Sequence, residues 1–314
     1  MSDPLWIVSF FVGGFLGLYL GSECLVRGGS SLALRLGVPR LVVGITVLAL
    51  GTSSPELFVN MKAAWDGHGG LALGNVIGSN IANIALVLGL AALIRPVRVK
   101  QSVVRREIPV MIVASLLLCG LLWDGRLGRL DGLILLAGLQ VFWVTCVRNA
   151  RMAPDEAALA PPKPSVFSRA SWLWMLIGLL LLLSGAHLFV RGAVELATGF
   201  GLSLFLIGLT VVAVGTSLPE IALSIVGSLR GEGDLVVGNA IGSNILNILL
   251  VLGLTALVFG VEIGTSAGLD LTLMTALALV SLPVMRSGFV ITRWEGAILV
   301  AVYAAYIATL FLTG

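Results

Sequence analysis

Long apolar runs, separated by short polar interruptions, fill this chain from end to end. A bilayer core of about 30 Å takes roughly 20 apolar residues per helix. On that scale the runs predict ten spans, near residues 5–34, 39–64, 70–94, 104–123, 129–149, 171–199, 203–229, 235–260, 268–286 and 292–312. The one long polar, Pro-rich interval, Ala150 to Ser168, reads as a flexible linker and divides the spans five and five. The expected organisation is a first five-helix unit over 1–149, a linker over 150–170, and a second five-helix unit over 171–314.

Composition narrows the class further. Charged residues make up 11% of the chain, against about 25% in a globular protein, and mean hydropathy is +1.08. That excludes a soluble domain and predicts an all-α polytopic membrane protein. A net charge of +3 forms no basic face with interleaved aromatics, so no nucleic-acid partner is expected. Cys24, Cys119 and Cys146 all lie in apolar runs and are odd in number, which implies no disulfide framework. The opening residues, MSDPLWIV, lack the basic start of a signal peptide, so the first apolar run reads as a span.

The loop charges give orientation. With loops alternating sides, fourteen Lys and Arg collect on one side, among them Arg40, Arg95, Arg98, Lys100, Arg148 and Arg286. Only Lys62, Arg126 and Arg129 fall on the other. The positive-inside rule then predicts a cell-membrane protein with both termini outside and the linker in the cytoplasm.

The two halves also repeat. Residues 21–90 and 185–254 align without a gap at an offset of 164, with 33 identities in 70 positions. Polar positions are what match: GTSSPE at 51–56 against GTSLPE at 215–220, and GNVIGSNIANI at 74–84 against GNAIGSNILNI at 238–248. Five spans per half is an odd number, so the second copy must enter the membrane in the opposite sense. An inverted-topology repeat places its substrate site near the midplane, where broken helices of the two halves meet.

Of sixteen acidic residues, fourteen fall in loops or within a few residues of a predicted span end. Glu56 and Glu220 lie deep, at matching positions. Such a residue costs at least about 2.5 kcal/mol on insertion scales and marks an ion path or a specific partner. Thr52 stands four residues before Glu56, and Thr216 four before Glu220, so each hydroxyl shares a helix face with its carboxylate. Ser79 with Asn83, and Ser243 with Asn247, repeat that spacing one span later. Pro55 and Pro219 each lack an N–H and crowd the carbonyl four residues back. This opens the helix and frees carbonyls over Ala49 to Thr52 and Ala213 to Thr216. Glycines 74, 78, 238 and 242 let neighbouring helices approach.

This donor set holds carboxylate, hydroxyl, amide and carbonyl oxygens, with no imidazole and no thiolate. It suits hard cations, above all Ca²⁺. Two apposed glutamates carry −2, which one Ca²⁺ or two or more Na⁺ or H⁺ would neutralise. An empty pair repels, so the pattern predicts an exchanger that changes sides only when loaded.

At these motifs the chain resembles the calcium/cation antiporter superfamily, in its sodium/calcium exchanger branch and closest to the compact prokaryotic members. The resemblance covers essentially the whole chain. It implies a central Ca²⁺ site of Glu56, Glu220 and the Thr52 and Thr216 carbonyls. Flanking Na⁺ sites would draw on Ser53, Ser79, Ser217, Ser243 and the Ala49 and Ala213 carbonyls, with Asn83 and Asn247 lining the cavity. It further implies that the first and sixth spans slide as a pair, which their length and the matched Arg27 and Arg191 fit. Asn247 stands where potassium-dependent relatives carry Asp, and the 19-residue linker is too short for a regulatory domain.

Three other transport readings remain, one of them a potassium-dependent Na⁺/Ca²⁺ exchanger, which Asn247 weakens without excluding. A Ca²⁺/H⁺ antiporter could use the same glutamates, although that branch carries a second glutamate where this chain has GSN. A cation channel could use the same ligands without a counter-ion. No HExxH, no Ser/His pair at membrane depth and no Asp-rich diphosphate motif occurs, so an enzyme is not expected. Neither is a cofactor or an obligate protein partner beyond the lipid bilayer, Ca²⁺ and Na⁺.

Overall fold

The computed structural model describes residues 4–152, 170–199, 213–262 and 268–313. The start of the predicted seventh span, 203–212, and most of the linker lie outside the described residues. The helices are α1 (Pro4–Leu36), α2 (Arg40–Thr52), α3 (Ser54–Trp65), α4 (Gly69–Ile94), α5 (Val103–Asp124), α6 (Arg129–Met152), α7 (Ser171–Gly199), α8 (Ala213–Thr216), α9 (Leu218–Leu229), α10 (Gly233–Phe259), α11 (Gly268–Arg286) and α12 (Arg293–Thr313). Most bounds fall within two or three residues of the predicted spans, because apolar length is a local property of the chain. Among the described residues, seven helices are long and apolar enough to cross a membrane, or eight if α2 and α3 form one bent span.

Helices α4 and α10 stand at the centre. Their apolar windows are 72% and 78% buried, against 28% for α1, α5, α6, α7 and α11. One large hydrophobic cluster binds them to α2, α5, α6, α11 and α12. A second cluster belongs to α1 and α7, with Leu223, Val226 and Leu235 closing it from α9 and α10.

Glycine makes the α1–α7 contact possible. Gly14, Gly21 and Gly28 on α1, and Gly178, Gly185 and Gly192 on α7, recur every seven residues and match at the 164 offset. A Cβ at Gly21 would stand 2.5 Å from Leu182 N, and one at Gly185 2.5 Å from Leu18 N. The two backbones therefore touch along a small-residue seam, as packing without a hydrophobic drive in lipid requires. Arg191 adds a cation–π contact, its guanidinium 4.8 Å from the Phe10 ring.

Short strands tie the halves together. β1 (Val97–Arg98) pairs antiparallel with β4 (Val290–Ile291), and β2 (Arg126–Leu127) with β3 (Val261–Glu262). The register Val97↔Ile291 becomes Val261↔Leu127 when 164 is added or subtracted. The two ladders thus interchange under the sequence repeat.

One acidic residue departs from the expectation that all but two lie near span ends. Glu23 sits well inside α1, ion-paired with Arg27 at 2.6 Å and with Arg230 at the end of α9. A helix of 33 residues exceeds the bilayer need, so a position distant from its end is still reached by a loop arginine.

Candidate functional site

Helix α2 ends and α3 begins at Ser53, whose backbone (φ −82°, ψ 5°) is non-helical, and the two helices bend by 42°. The break sits where Pro55 dictates, in the first turn of α3. Ser217 (φ −87°, ψ 0°) repeats it between α8 and α9, with Pro219 in the matching turn. Each break aims a glutamate from the first turn of the following helix into the interior.

The predicted side chains that are described are buried. Glu56 and Glu220 are each 1% exposed, and Thr52, Ser53, Ser79, Asn83, Thr216, Ser217, Ser243 and Asn247 are all buried. The two carboxylates lie within electrostatic reach of each other, with the Ser79 hydroxyl beside Glu56. The Thr52 hydroxyl lies near Glu220 of the opposite half. Ala49 is buried and its carbonyl accepts the Ser53 N–H at 2.9 Å. Ala213 is the repeat mate of Ala49.

Many of these oxygens have no hydrogen-bond partner. They include Glu56 Oε2, both Glu220 oxygens, the hydroxyls of Ser53, Ser79, Ser217 and Ser243, and the Oδ1 atoms of Asn83 and Asn247. Buried polar atoms are normally paired, and orphaned acceptors at matched positions of both halves make this a candidate cradle for a cation. Among the described residues no group of three or more His, Cys, Asp or Glu could hold a metal ion. The charge of the cradle rests on two glutamates, with neutral oxygens around them.

Several participants did not stand out in the sequence. The Thr52 hydroxyl donates to Asn239 Oδ1 at 3.1 Å and that of Thr216 to Asn75 Oδ1 at 3.5 Å, exchanging the halves. Asn80 and Asn244 reach across to each other's backbone carbonyls at 3.4 and 3.3 Å, and Asn247 Nδ2 donates to Asn80 Oδ1 at 3.1 Å. All four asparagines at 75, 80, 239 and 244 recur at the 164 offset in the GN and GSN motifs, a signal that could have found them. Asn60, one turn beyond Glu56, accepts from Asn75 Nδ2 at 2.8 Å and has no asparagine mate. Asn83 and Asn247 each open a π-helical stretch, Asn83–Val87 and Asn247–Leu252, a distortion common at functional sites.

Two expected features are modified. The carbonyl that Pro55 frees, Gly51 O, accepts the Ser54 hydroxyl at 2.7 Å, which uses one of its two lone pairs. The glycine contacts hold for Gly238 and Gly242, whose Cβ atoms would stand 3.2 Å from Gly44 Cα and 2.7 Å from Ile45 Cα. The repeat mates of Gly44 and Ile45, which would face Gly74 and Gly78, lie outside the described residues.

A multi-span membrane protein whose interior gathers two carboxylates and neutral oxygens from two similar halves belongs to the class of cation transporters. The sodium/calcium exchanger protein family model matches residues 6–147 and 170–312, and the chain belongs to that family, a family of transporters and not of enzymes. It is 41% identical to CaxA of Alkalimonas amylolytica over 314 residues, covering 96% of this chain and 98% of that protein. It is 29% identical to the sodium/calcium exchanger MaX1 of Methanosarcina acetivorans, covering 95% and 96%. The fold matches the solved sodium-calcium exchanger NCX_Mj with a TM-score of 0.86 at 32% identity, covering 98% of this chain and 100% of that one.

Proposed function

We propose that this chain is a secondary antiporter that exchanges Ca²⁺ for Na⁺ by alternating access at a site centred on Glu56 and Glu220. The observation that carries the reading is the set of buried, unpartnered oxygens contributed by matched residues of both halves. The relatives' names and NCX_Mj support the same ions. Glu56, Glu220 and the Thr52 and Thr216 carbonyls take Ca²⁺. Ser53, Ser79, Ser217, Ser243 and the Ala49 and Ala213 carbonyls take Na⁺, and Asn83 and Asn247 line the cavity.

Charge balance supplies the coupling. One Ca²⁺ or two or more Na⁺ cancel the pair's −2, whereas the empty pair is repelled in a low-dielectric interior. Only loaded forms change sides. The architecture that serves this is ten spans in two inverted units, 1–149 and 171–314, joined by a cytoplasmic linker, in the cell membrane with both termini outside. Asn247 removes the carboxylate on which a potassium-coupled cycle would draw.

The test is Ca²⁺ uptake into proteoliposomes loaded with Na⁺ and diluted into Na⁺-free medium, with a protonophore present. The expected result is saturable uptake that collapses when internal and external Na⁺ are equal. No uptake would overturn the Na⁺ reading, uptake driven only by a pH gradient would make the protein a Ca²⁺/H⁺ antiporter, and unsaturable flux without a gradient would make it a channel.

A further inference from the structure

Two cavities, one at each strand ladder, are related in part by the 164 offset. The larger, of about 640 Å³, is bounded by β1, the end of α9 and the start of α10; the smaller, of about 400 Å³, is bounded by β3, the end of α3 and the start of α4. Ser228, Gly231, Gly233 and Val97 of the first correspond to Ala64, Gly67, Gly69 and Val261 of the second. The backbone framework is therefore shared, and the side chains that differ are informative.

They differ in charge. The larger cavity carries Arg40, Arg95, Arg98 and Lys100 against Glu232 and Asp234. Arg40 pairs with Glu232 at 3.1 Å and Lys100 with Asp234 at 2.9 Å. Among the described residues, neither Arg95 nor Arg98 has an ion pair or a side-chain hydrogen bond, so a surplus of two positive charges faces one open, solvent-accessible pocket. Gly231 admits the Arg95 guanidinium, since a Cβ there would stand 2.7 Å from Nη1. In the sequence the mate of Arg95 is Phe259, which lines the smaller cavity, and the mate of Arg98 is Glu262, so neither arginine recurs. The smaller cavity's own cations are Arg129 and Arg126, the latter tied to Asp124 at 3.1 Å.

The positive-inside rule explains why cations favour this face, but not why two arginines without carboxylate partners share one cavity. The geometry points to a binding site for a phosphate group, held by Arg95 and Arg98 where the ends of α4 and α9 meet the start of α10. Guanidinium groups bind phosphate oxygens in bidentate fashion, and basic pockets between spanning helices accept phospholipid headgroups. The site is separate from the Glu56–Glu220 centre and does not depend on which ions are transported.

The test is binding of phosphatidylglycerol, phosphatidylcholine and inorganic phosphate to the purified full chain in mild detergent. Adducts are read by native mass spectrometry and by thermal midpoint. Wild type is expected to bind one anionic ligand saturably. Arg95→Gln with Arg98→Gln should weaken it at least about tenfold. Arg148→Gln with Arg286→Gln removes the same charge from exposed positions outside the cavity and should change affinity less than about twofold. Preference for phosphatidylglycerol over phosphatidylcholine without phosphate binding identifies a lipid headgroup. Phosphate binding without lipid preference identifies a soluble anion. Equal losses in both double variants, or no preference for any phosphate anion over phosphatidylcholine, would overturn the site. Should Arg95→Gln with Arg98→Gln not fold, Arg95→Lys with Arg98→Lys keeps the charge and loses the bidentate fork, and affinity unchanged from wild type would then overturn it.

Discussion

Helices α3 and α9 carry the two glutamates on the same scaffold, yet they are held differently. Ser54 caps the Gly51 carbonyl at 2.7 Å, whereas the mate of Ser54 is Leu218, which has no hydroxyl to offer Gly215. Asn60 accepts from Asn75, whereas its mate is Ser224, and both the Ser224 hydroxyl and Asn239 Nδ2 are left without a partner. Glu56 has one unpartnered oxygen and Glu220 has two. Residues that face the shared centre are matched, and those one turn away have diverged. The inference is that one cation chemistry constrains both halves at the centre, while each half's flanks answer only to their own neighbours.

The largest expected effect falls where the halves match. Glu56→Gln and Glu220→Gln should each lower Ca²⁺ exchange by about a hundredfold or more, equivalent to roughly 2.7 kcal/mol of cation binding, while the thermal midpoint stays at or above wild type. If either variant exchanged within twofold of wild type, the centre would be misassigned. The next effect concerns the α1–α7 seam. Gly21→Ala and Gly185→Ala both press a methyl onto the facing backbone, so both should destabilise by about 1–3 kcal/mol and by similar amounts. Strongly unequal losses in thermal midpoint would break the equivalence of the two helices.

Where the halves differ, exchanging their residues should have opposite signs. Asn60→Ser removes the acceptor for Asn75 and should cost about 1 kcal/mol. Ser224→Asn gives Asn239 a partner and should raise the thermal midpoint. Two losses would show that the unpartnered groups around Ser224 are needed as they are. The smallest effect is at the helix ends. Glu23→Gln breaks a partly buried link from α1 to Arg230 and should cost about 1 kcal/mol, whereas Lys62→Gln breaks an exposed pair with Asp66 and should cost less than about 0.5 kcal/mol. Equal effects would mean that the interhelical link adds nothing beyond a surface pair.

Much of this was legible in the sequence. The span bounds follow from apolar length, the breaks at Ser53 and Ser217 from proline's missing N–H, and the centre from polar residues that recur at one offset. All three are local or periodic properties that a linear chain displays. The GN and GSN asparagines carried the same recurrence, although their role as links between halves was not visible. Asn60 and Ser224 were not legible, because nothing recurs there.

What the tertiary structure decided is pairing across the fold. It set the Thr52 hydroxyl beside Glu220, joined Asn80 to Asn244 and Asn247, and brought Glu23 on α1 to Arg230 on α9. It also gathered Arg95 and Arg98 into one cavity. Each depends on how distant helices cross and at what depth they meet. A sequence repeat fixes that two halves are alike, but contact between them is a property of the angles and distances at which they pack.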